Sequence, residues 1–162
     1  MTLRPATPAD FGFIRAVAQQ PEAHLFVTDE DETALAGYLA DPAARLYIWQ
    51  DGDEPAGFAL FCGVGSAADV VELRRLALAK PGGGAGLAYV KTLTDHAFSN
   101  LAARRVWLDA SGENPRACRT YAQAGYQPEG HLRAHWWRPA LGRAVDLMYF
   151  GMLREEWLAL NP

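Results

Sequence analysis

A glycine-rich segment carries the strongest chemical signal in the sequence. Residues 80–88 read Lys-Pro-Gly-Gly-Gly-Ala-Gly-Leu-Ala and join a predicted strand, Val70–Leu78, to a predicted helix whose apolar face begins at Leu87. The first backbone N–H groups of a helix lack partners within it, and the helix dipole adds positive potential there, so such a junction can bind an anion. Glycine suits this purpose because a Cβ would block close approach of the backbone to a phosphate. A flexible turn is the alternative explanation for the same glycines.

The glycine spacing excludes three familiar phosphate loops. A P-loop ends in Gly-Lys-Ser/Thr, whereas Gly86 is followed by Leu87. The dinucleotide pattern G-x-G-x-x-G fails from Gly82 and from Gly84, because Leu87 and Tyr89 stand where the last glycine belongs. A kinase-type loop lacks its partner motifs. The charge around the segment still favours a phosphate ligand. The basic residues near it in the sequence are Arg74, Arg75, Lys80, Lys91, Arg116 and Arg119.

The elements that must position this loop form an α/β pattern. Helical spacing of apolar residues predicts a helix that begins at Pro8–Asp10, another over 30–40, and a long one after the loop. A further helix begins at Asn114, with Asn as N-cap and Pro115 as first helical residue, and ends at Gly125. Strands are predicted over 3–7, 46–49, 58–62, 70–78, 105–109, 126–137 and 144–152. The order predicts an α/β sheet with helices on both faces and a central β-loop-α-β-α unit.

Length and composition limit the class of protein. The 162 residues fit one domain, 1–162. The net charge of −4 disfavours a general nucleic-acid binder, which needs a basic surface. The two cysteines, Cys62 and Cys118, cannot make a disulfide framework and fit a reducing cytoplasm. The longest uncharged run, Pro55–Ala68, has 14 residues and three glycines, so no membrane span is predicted. No secretory signal is visible in Met1–Asp10.

Two motifs in the same order and spacing carry a family resemblance. The loop segment Gly83–Ala88 is similar to Q/R-G-x-G-x-G/A, with Gly83 where Gln or Arg is usual. The helix pattern N-x-x-A-x-x-x-Y-x-x-x-G-F is matched, with Tyr for the final Phe, by Asn114, Ala117, Tyr121, Gly125 and Tyr126. Together they resemble the GNAT superfamily of N-acetyltransferases, and within it the RimJ/RimL-type branch. The resemblance implies a mixed, mostly antiparallel sheet of about seven strands, with acetyl-CoA as co-substrate and no metal.

The resemblance also implies which residues bind the coenzyme. The backbone of Leu76, Ala77 and Leu78 would hold the pantetheine arm, with the N–H of Leu78 facing the thioester oxygen. Asn114 would hydrogen-bond the coenzyme in addition to capping its helix. The loop residues that would bind the pyrophosphate are Gly83, Gly84, Ala85, Gly86, Leu87 and Ala88.

Acetyl transfer to an amine needs a base for the ammonium and an acid for the leaving thiolate. The resemblance implies Tyr121 as the general acid, although a core aromatic would look the same in the sequence. Glu72 is the candidate base, with Asp69 in reserve. Strand alternation predicts that Glu72 and Leu78 share a face. The alternative is a carboxylate that merely pairs with Arg74.

The sequence therefore predicts direct acetyl transfer to a primary amine, of a small molecule or of a protein or peptide N-terminus. A non-catalytic acyl-CoA-binding sensor or scaffold of the same fold is the alternative, and Gly83 in place of Gln or Arg favours it. The acceptor amine is not identified, and a homodimer is left open.

Three weaker signals remain. The acidic run Thr28–Glu32 fits a helix capping box from Asp29 to Glu32, or an acidic lip for a cationic substrate. Trp136 and Trp137 alternate on a strand, one expected in the core and the other as a candidate for the acceptor pocket. The pair of histidines near them falls in a strand, where side chains four residues apart lie about 13 Å apart, so no metal site is predicted.

Overall fold

The computed structural model of the protein describes residues 2–162. Seven strands form one sheet: β1 (Thr2–Pro5), β2 (Arg45–Asp51), β3 (Glu54–Cys62), β4 (Val70–Leu78), β5 (Arg105–Ser111), β6 (Gln127–Arg138) and β7 (Arg143–Leu153). The helices are α1 (Phe11–Ala18), α2 (Pro21–His24), α3 (Glu32–Ala40), α4 (Ala85–Ser99), α5 (Pro115–Gln123) and α6 (Arg154–Leu160). The predicted α/β class is confirmed. Between residues 2 and 162, no helix is both long and apolar enough to cross a membrane.

The strand order across the sheet is β1-β2-β3-β4-β5-β7-β6. Five of the six pairings are antiparallel, and β4 and β5 are parallel because α4 carries the chain back between them. The parallel pairing is short: it joins 70–72 of β4 to 105–107 of β5. Beyond Glu72 the two strands diverge, so the sheet opens in its centre.

Two apolar cores lie on the two faces of the sheet. Helices α4 and α5 cover one face, with Leu93, Phe98 and Tyr121 packed against the strands. Helices α1 and α3 cover the other face, with Ile14 and Leu35 in its core. We call these the α4/α5 face and the α1/α3 face. Four apolar residues of α1 are buried in this second core: Phe11, Ile14, Val17 and Ala18.

Strand β4 contains an extra residue in its pairing with β3. Leu60 faces Arg75 and Phe61 faces Leu73, which leaves Arg74 without an opposing residue. Such a bulge bends the strand and shifts its side-chain alternation by one residue. Side chains before and after it therefore do not follow one simple alternation.

The start of α3 differs from the prediction. Asp31 is its N-cap, because its Oδ1 accepts a hydrogen bond of 2.8 Å from the N–H of Ala34. The capping box predicted from Asp29 is wrong: the Asp29 carboxylate accepts hydrogen bonds from Arg15 and Gln19 instead. The acidic run is thus used mainly for capping and ion pairing.

Two helices were not predicted. Helix α2 has four residues, too few for a helical period to show in the sequence. Helix α6 follows β7 without a loop, and the Glu156 carboxylate accepts from the N–H of Leu153 at 2.8 Å. Trp157 fixes α6 to α4, because its ring stacks on Phe98 and its Nε1 donates to Asp95 at 2.7 Å.

Candidate active site

A cavity of about 580 Å³ lies where β4 and β5 diverge. Its walls come from the end of β4, the glycine-rich loop, the end of β5, the first turns of α5, and the segment around α2. The predicted site residues that line it are Leu76, Ala77, Leu78, Gly83, Gly84, Gly86, Leu87, Asn114 and Tyr121. Three predicted residues, Glu72, Ala85 and Ala88, are not in its lining. The structure thus brings together most of two motifs that are about thirty residues apart in the sequence.

The glycine-rich loop presents its backbone to this cavity. Gly82, Gly83 and Gly84 have φ angles of 127°, 59° and 82°, which L side chains rarely adopt. Within residues 2–162, the N–H groups of Gly83, Gly84 and Gly86 donate no hydrogen bond. A Cβ on Gly86 would meet no atom within 4 Å, so protein packing does not require glycine there. Free amides beside open space at the start of α4 suit an anionic ligand.

The end of β4 has free backbone groups on the cavity side. The N–H of Ala79 donates to the carbonyl of Ala56 at 2.9 Å, toward β3. Because N–H groups alternate between the two edges of a strand, that of Leu78 points to the other edge, where β5 has already diverged. An extended ligand could hydrogen-bond along this edge.

Helix α5 contributes a cap and a phenol. Asn114 caps α5 as predicted, because its Oδ1 accepts from the N–H of Ala117 at 3.1 Å. Tyr121 lines the cavity and is only 6% exposed, with its ring edge-on to Phe150 at 5.6 Å. Burial, followed by the nearby Asp109 carboxylate, raises the pKa of Tyr121 well above its usual value. The phenol is therefore protonated at neutral pH and can donate its proton.

Glu72 has a partner and lies on the wrong face for the predicted geometry. Its Oε2 accepts from the Nη2 of Arg74 at 2.6 Å and from its Nε at 2.9 Å. Glu72 lies opposite Cys62 of β3, whose side chain packs on the α1/α3 face. Leu78 packs on the α4/α5 face. The expectation that Glu72 and Leu78 share a strand face is wrong, because the bulge in β4 lies between them. Asp69, the reserve candidate, is exposed in a turn before β4.

Asp109 is a cavity residue that the sequence analysis did not single out. It lies near the end of β5 and lines the cavity. Its pKa is raised to about 6, first because burial disfavours the charged form and then because Glu72 is near. The nearby Arg75 and Arg74 guanidinium groups oppose this rise. The only signal in the sequence was an acidic residue between the apolar positions Leu108 and Ala110 of a predicted strand.

Trp136 and Trp137 were expected to divide between core and pocket. Trp136 lines the cavity and has the guanidinium of Arg138 stacked over its ring at 4.1 Å. Trp137 is 62% exposed, so the expectation that one of the two lies in the core is wrong. The rest of this end of the cavity is covered by the segment around α2, through Phe26 and Val27.

Comparisons with known proteins agree with this arrangement. The acetyltransferase (GNAT) family profile matches residues 11–126. The crystal structure of spermidine N-acetyltransferase from Vibrio cholerae in complex with CoA and spermine superposes with a TM-score of 0.85, at 20% identity over 97% of both chains. A dodecameric structure of spermidine N-acetyltransferase from the same organism gives a TM-score of 0.82, at 21% identity over 99% of this chain and 98% of that one. A comparison with curated protein sequences finds no significant match.

The fold is an α/β sheet in which the parallel strands β4 and β5 diverge, and the cavity at that point is lined by the glycine-rich loop. The profile match covers more than half of the chain, and the chain belongs to the acetyltransferase (GNAT) family. It is an N-acetyltransferase, and the acetyl donor of its family is acetyl-CoA. The likeness to the spermidine enzymes, at these identities, concerns the fold.

Proposed function

We propose that this protein transfers the acetyl group of acetyl-CoA directly to a primary amine, as a member of the RimJ/RimL-like branch. One observation carries the proposal: a single cavity joins the free amides of the glycine loop, the free edge of β4 and the buried phenol of Tyr121. The continuous seven-stranded sheet supports treating 1–162 as one acetyltransferase domain.

The coenzyme would lie along the walls already described. Its pyrophosphate would accept hydrogen bonds from the loop, where Gly84 and Gly86 leave room for it. Its pantetheine arm would run along Leu76, Ala77 and Leu78 as an added strand. The N–H of Leu78 would then donate to the thioester oxygen, on which negative charge develops during attack.

Tyr121 would protonate the leaving thiolate. A neutral phenol can do this without bringing charge into an apolar site, and the raised pKa of Tyr121 keeps it in the acid form. The sequence predicted Glu72 as the base, acting directly or through water, but Arg74 holds one of its oxygens in the structure. The proposed route is direct transfer rather than an acyl-enzyme.

The acceptor is proposed to be a small polyamine or a peptide N-terminus. The structural neighbours are named as spermidine N-acetyltransferases, which makes spermidine the first amine to test. Arg74 and Arg75 also line the cavity, so its acceptor end is not purely acidic. An acceptor that carries an anionic group beside its amine therefore belongs in the same screen.

The deciding experiment is release of free thiol from acetyl-CoA with spermidine, alanyl peptides and free amino acids as acceptors. Release that depends on both acetyl-CoA and an amine is expected. Gly83 in place of Gln or Arg favours the alternative, a module that binds acyl-CoA without turnover. Tight acetyl-CoA binding with no thiol release from any of these acceptors would support that module instead.

A further inference from the structure

The cavity contains a carboxylate that the proposed mechanism does not use. Asp109 lines the cavity near the end of β5. Across residues 2–162, no donor lies within hydrogen-bond or ion-pair distance of its carboxylate. Other acidic groups near the sheet centre are paired, Glu72 with Arg74 and Glu30 with Arg75. Asp109 is partly exposed and faces the cavity, so its carboxylate is free to contact a cationic ligand there.

Asp109 and Tyr121 lie on opposite faces of the opened sheet. Val106 and Leu108 of β5 pack in the core under α4 and α5, so the alternating Asp109 points to the α1/α3 face. Tyr121 comes from α5, on the α4/α5 face. Both line one cavity because β4 and β5 have diverged between them. A group held in the gap is therefore reached by the phenol from one side and by the carboxylate from the other.

Glu72 does not have this access. It lies within the paired part of β4 and β5, opposite Trp107, before the strands diverge. Its carboxylate is held by the guanidinium of Arg74 and is absent from the cavity lining. One of its two oxygens is therefore held in an ion pair, whereas neither oxygen of Asp109 is.

We propose that Asp109, rather than Glu72, accepts the proton from the ammonium group of the acceptor. This inference rests on the proposed acetyl transfer. The ammonium gives one proton to a carboxylate oxygen of Asp109, and the freed nitrogen pair forms the C–N bond with the thioester carbon. The C–S bond breaks with its electron pair on sulfur, which takes the phenolic proton of Tyr121. The second nitrogen proton, lost as the amide forms, returns to the tyrosine through water, and Asp109 releases its proton to solvent.

The charged surroundings of Asp109 suit this role. From β4 it faces Glu72, Arg74 and Arg75, from β6 His135, and its partner on β7 is Tyr149. The raised pKa of about 6 makes this carboxylate a better proton acceptor than an ordinary aspartate, while leaving it ionised at neutral pH. A cationic amine is also attracted to a carboxylate that has no ion-pair partner among the described residues.

The test compares Asp109→Asn with Glu72→Gln and a matched surface control, Asp53→Asn, in the exposed turn between β2 and β3. The acceptor is whichever amine of the thiol-release screen the wild-type protein uses fastest. Asp109→Asn should lower kcat/KM by about 10²-fold or more, with acetyl-CoA affinity unchanged. The acid limb of the wild-type kcat profile, near pH 6, should move toward the pKa of the amine in Asp109→Asn. Glu72→Gln and Asp53→Asn should keep that limb.

A merely structural role would not move the pH profile, so the limb decides the question. An Asp109→Asn enzyme with the wild-type limb, beside a Glu72→Gln enzyme that has lost it, would overturn the assignment in favour of Glu72. If Asp109→Asn does not fold, Asp109→Ser replaces it in the same comparison of pH profiles, and a wild-type limb in Asp109→Ser would equally overturn the assignment. Absence of thiol release from the wild-type protein would overturn the proposed function itself, together with this role.

Discussion

Replacement of Tyr121 by Phe isolates the proposed proton donor. The change removes one hydroxyl and keeps a ring that packs edge-on to Phe150. Among the described residues, that hydroxyl has no hydrogen-bond partner, so its loss should leave the free energy of unfolding nearly unchanged. If the phenol protonates the leaving thiolate, kcat should fall by about 10²–10⁴-fold, which corresponds to about 2.7–5.5 kcal/mol of transition-state stabilisation.

The pH dependence of this loss provides a second measurement. An ordinary thiol has a pKa of about 8.5, so a thiolate can leave without a proton when the pH is well above that value. The deficit of Tyr121→Phe should therefore be largest near pH 7 and smaller near pH 9.5. The assay is thiol release at saturating acetyl-CoA and acceptor, with acetyl-CoA affinity measured separately by calorimetry.

Tyr126→Phe is the matched control, because Tyr126 is an equally buried tyrosine outside the cavity lining. Its hydroxyl is hydrogen-bonded to Thr94 at 2.8 Å, so this variant should lose about 1 kcal/mol of stability and keep its kcat. Equal kcat values for Tyr121→Phe and the wild-type protein, with chemistry shown to limit the rate, would refute the role of Tyr121.

Three further predictions concern coenzyme binding and stability. Acetyl-CoA at a hundredfold excess over its Kd should stabilise the fold by about 2.7 kcal/mol in thermal unfolding, and ATP or NAD should do much less; equal stabilisation by ATP would contradict a site that also holds pantetheine. Gly86→Asp should weaken acetyl-CoA binding at least tenfold (about 1.4 kcal/mol). Gly12→Asp is the control, because Gly12 is also the second residue of its helix, and it should leave the affinity unchanged. An unchanged calorimetric affinity in Gly86→Asp would mean that the loop is only a turn and does not bind the coenzyme. Burial lowers the pKa of His96, whose Nε2 has no partner among the described residues and whose ring lies against that of Tyr47, so the unfolded chain binds a proton more readily than the folded protein. The free energy of unfolding should therefore fall as the pH drops below about 6.5. His96→Phe should reduce that loss, measured by urea unfolding at pH 5 and pH 7.5.

Local signals predicted most of the elements. The bounds of β4, Val70–Leu78, were predicted as they stand, with the glycine-rich loop marking where the strand ends. The start of α5 was equally clear, since Asn114 and Pro115 are a cap and a first-turn residue. The loop and Tyr121 were predicted as site residues from two motifs within one β-loop-α-β-α unit. Both line the cavity.

The features that the sequence did not predict depend on partners distant in the chain. The bulge in β4 is defined by its register with β3, and no single-strand pattern contains that register. Asp109 is distinctive because, among the described residues, it forms no ion pair, while Arg74 and Arg75 are paired with other carboxylates. The pair of Glu30 and Arg75 joins the segment before α3 to β4, so it forms only in the assembled fold. Strand position alone pointed to Glu72 as the base.

The sheet opens and the bulge begins at the same point of β4. This explains how one strand can border the proposed sites of both the coenzyme and the acceptor. Pairing with β5 ends at Glu72, and the extra residue in the pairing with β3 follows at once. A bulge bends its strand, so β4 turns away from β5 while it stays paired with β3. Gly57 allows that close pairing, because a Cβ there would lie 2.6 Å from the carbonyl oxygen of Ala77. The edge that β4 no longer offers to β5 becomes free for a ligand, and the gap gives a nucleophile access from the other face.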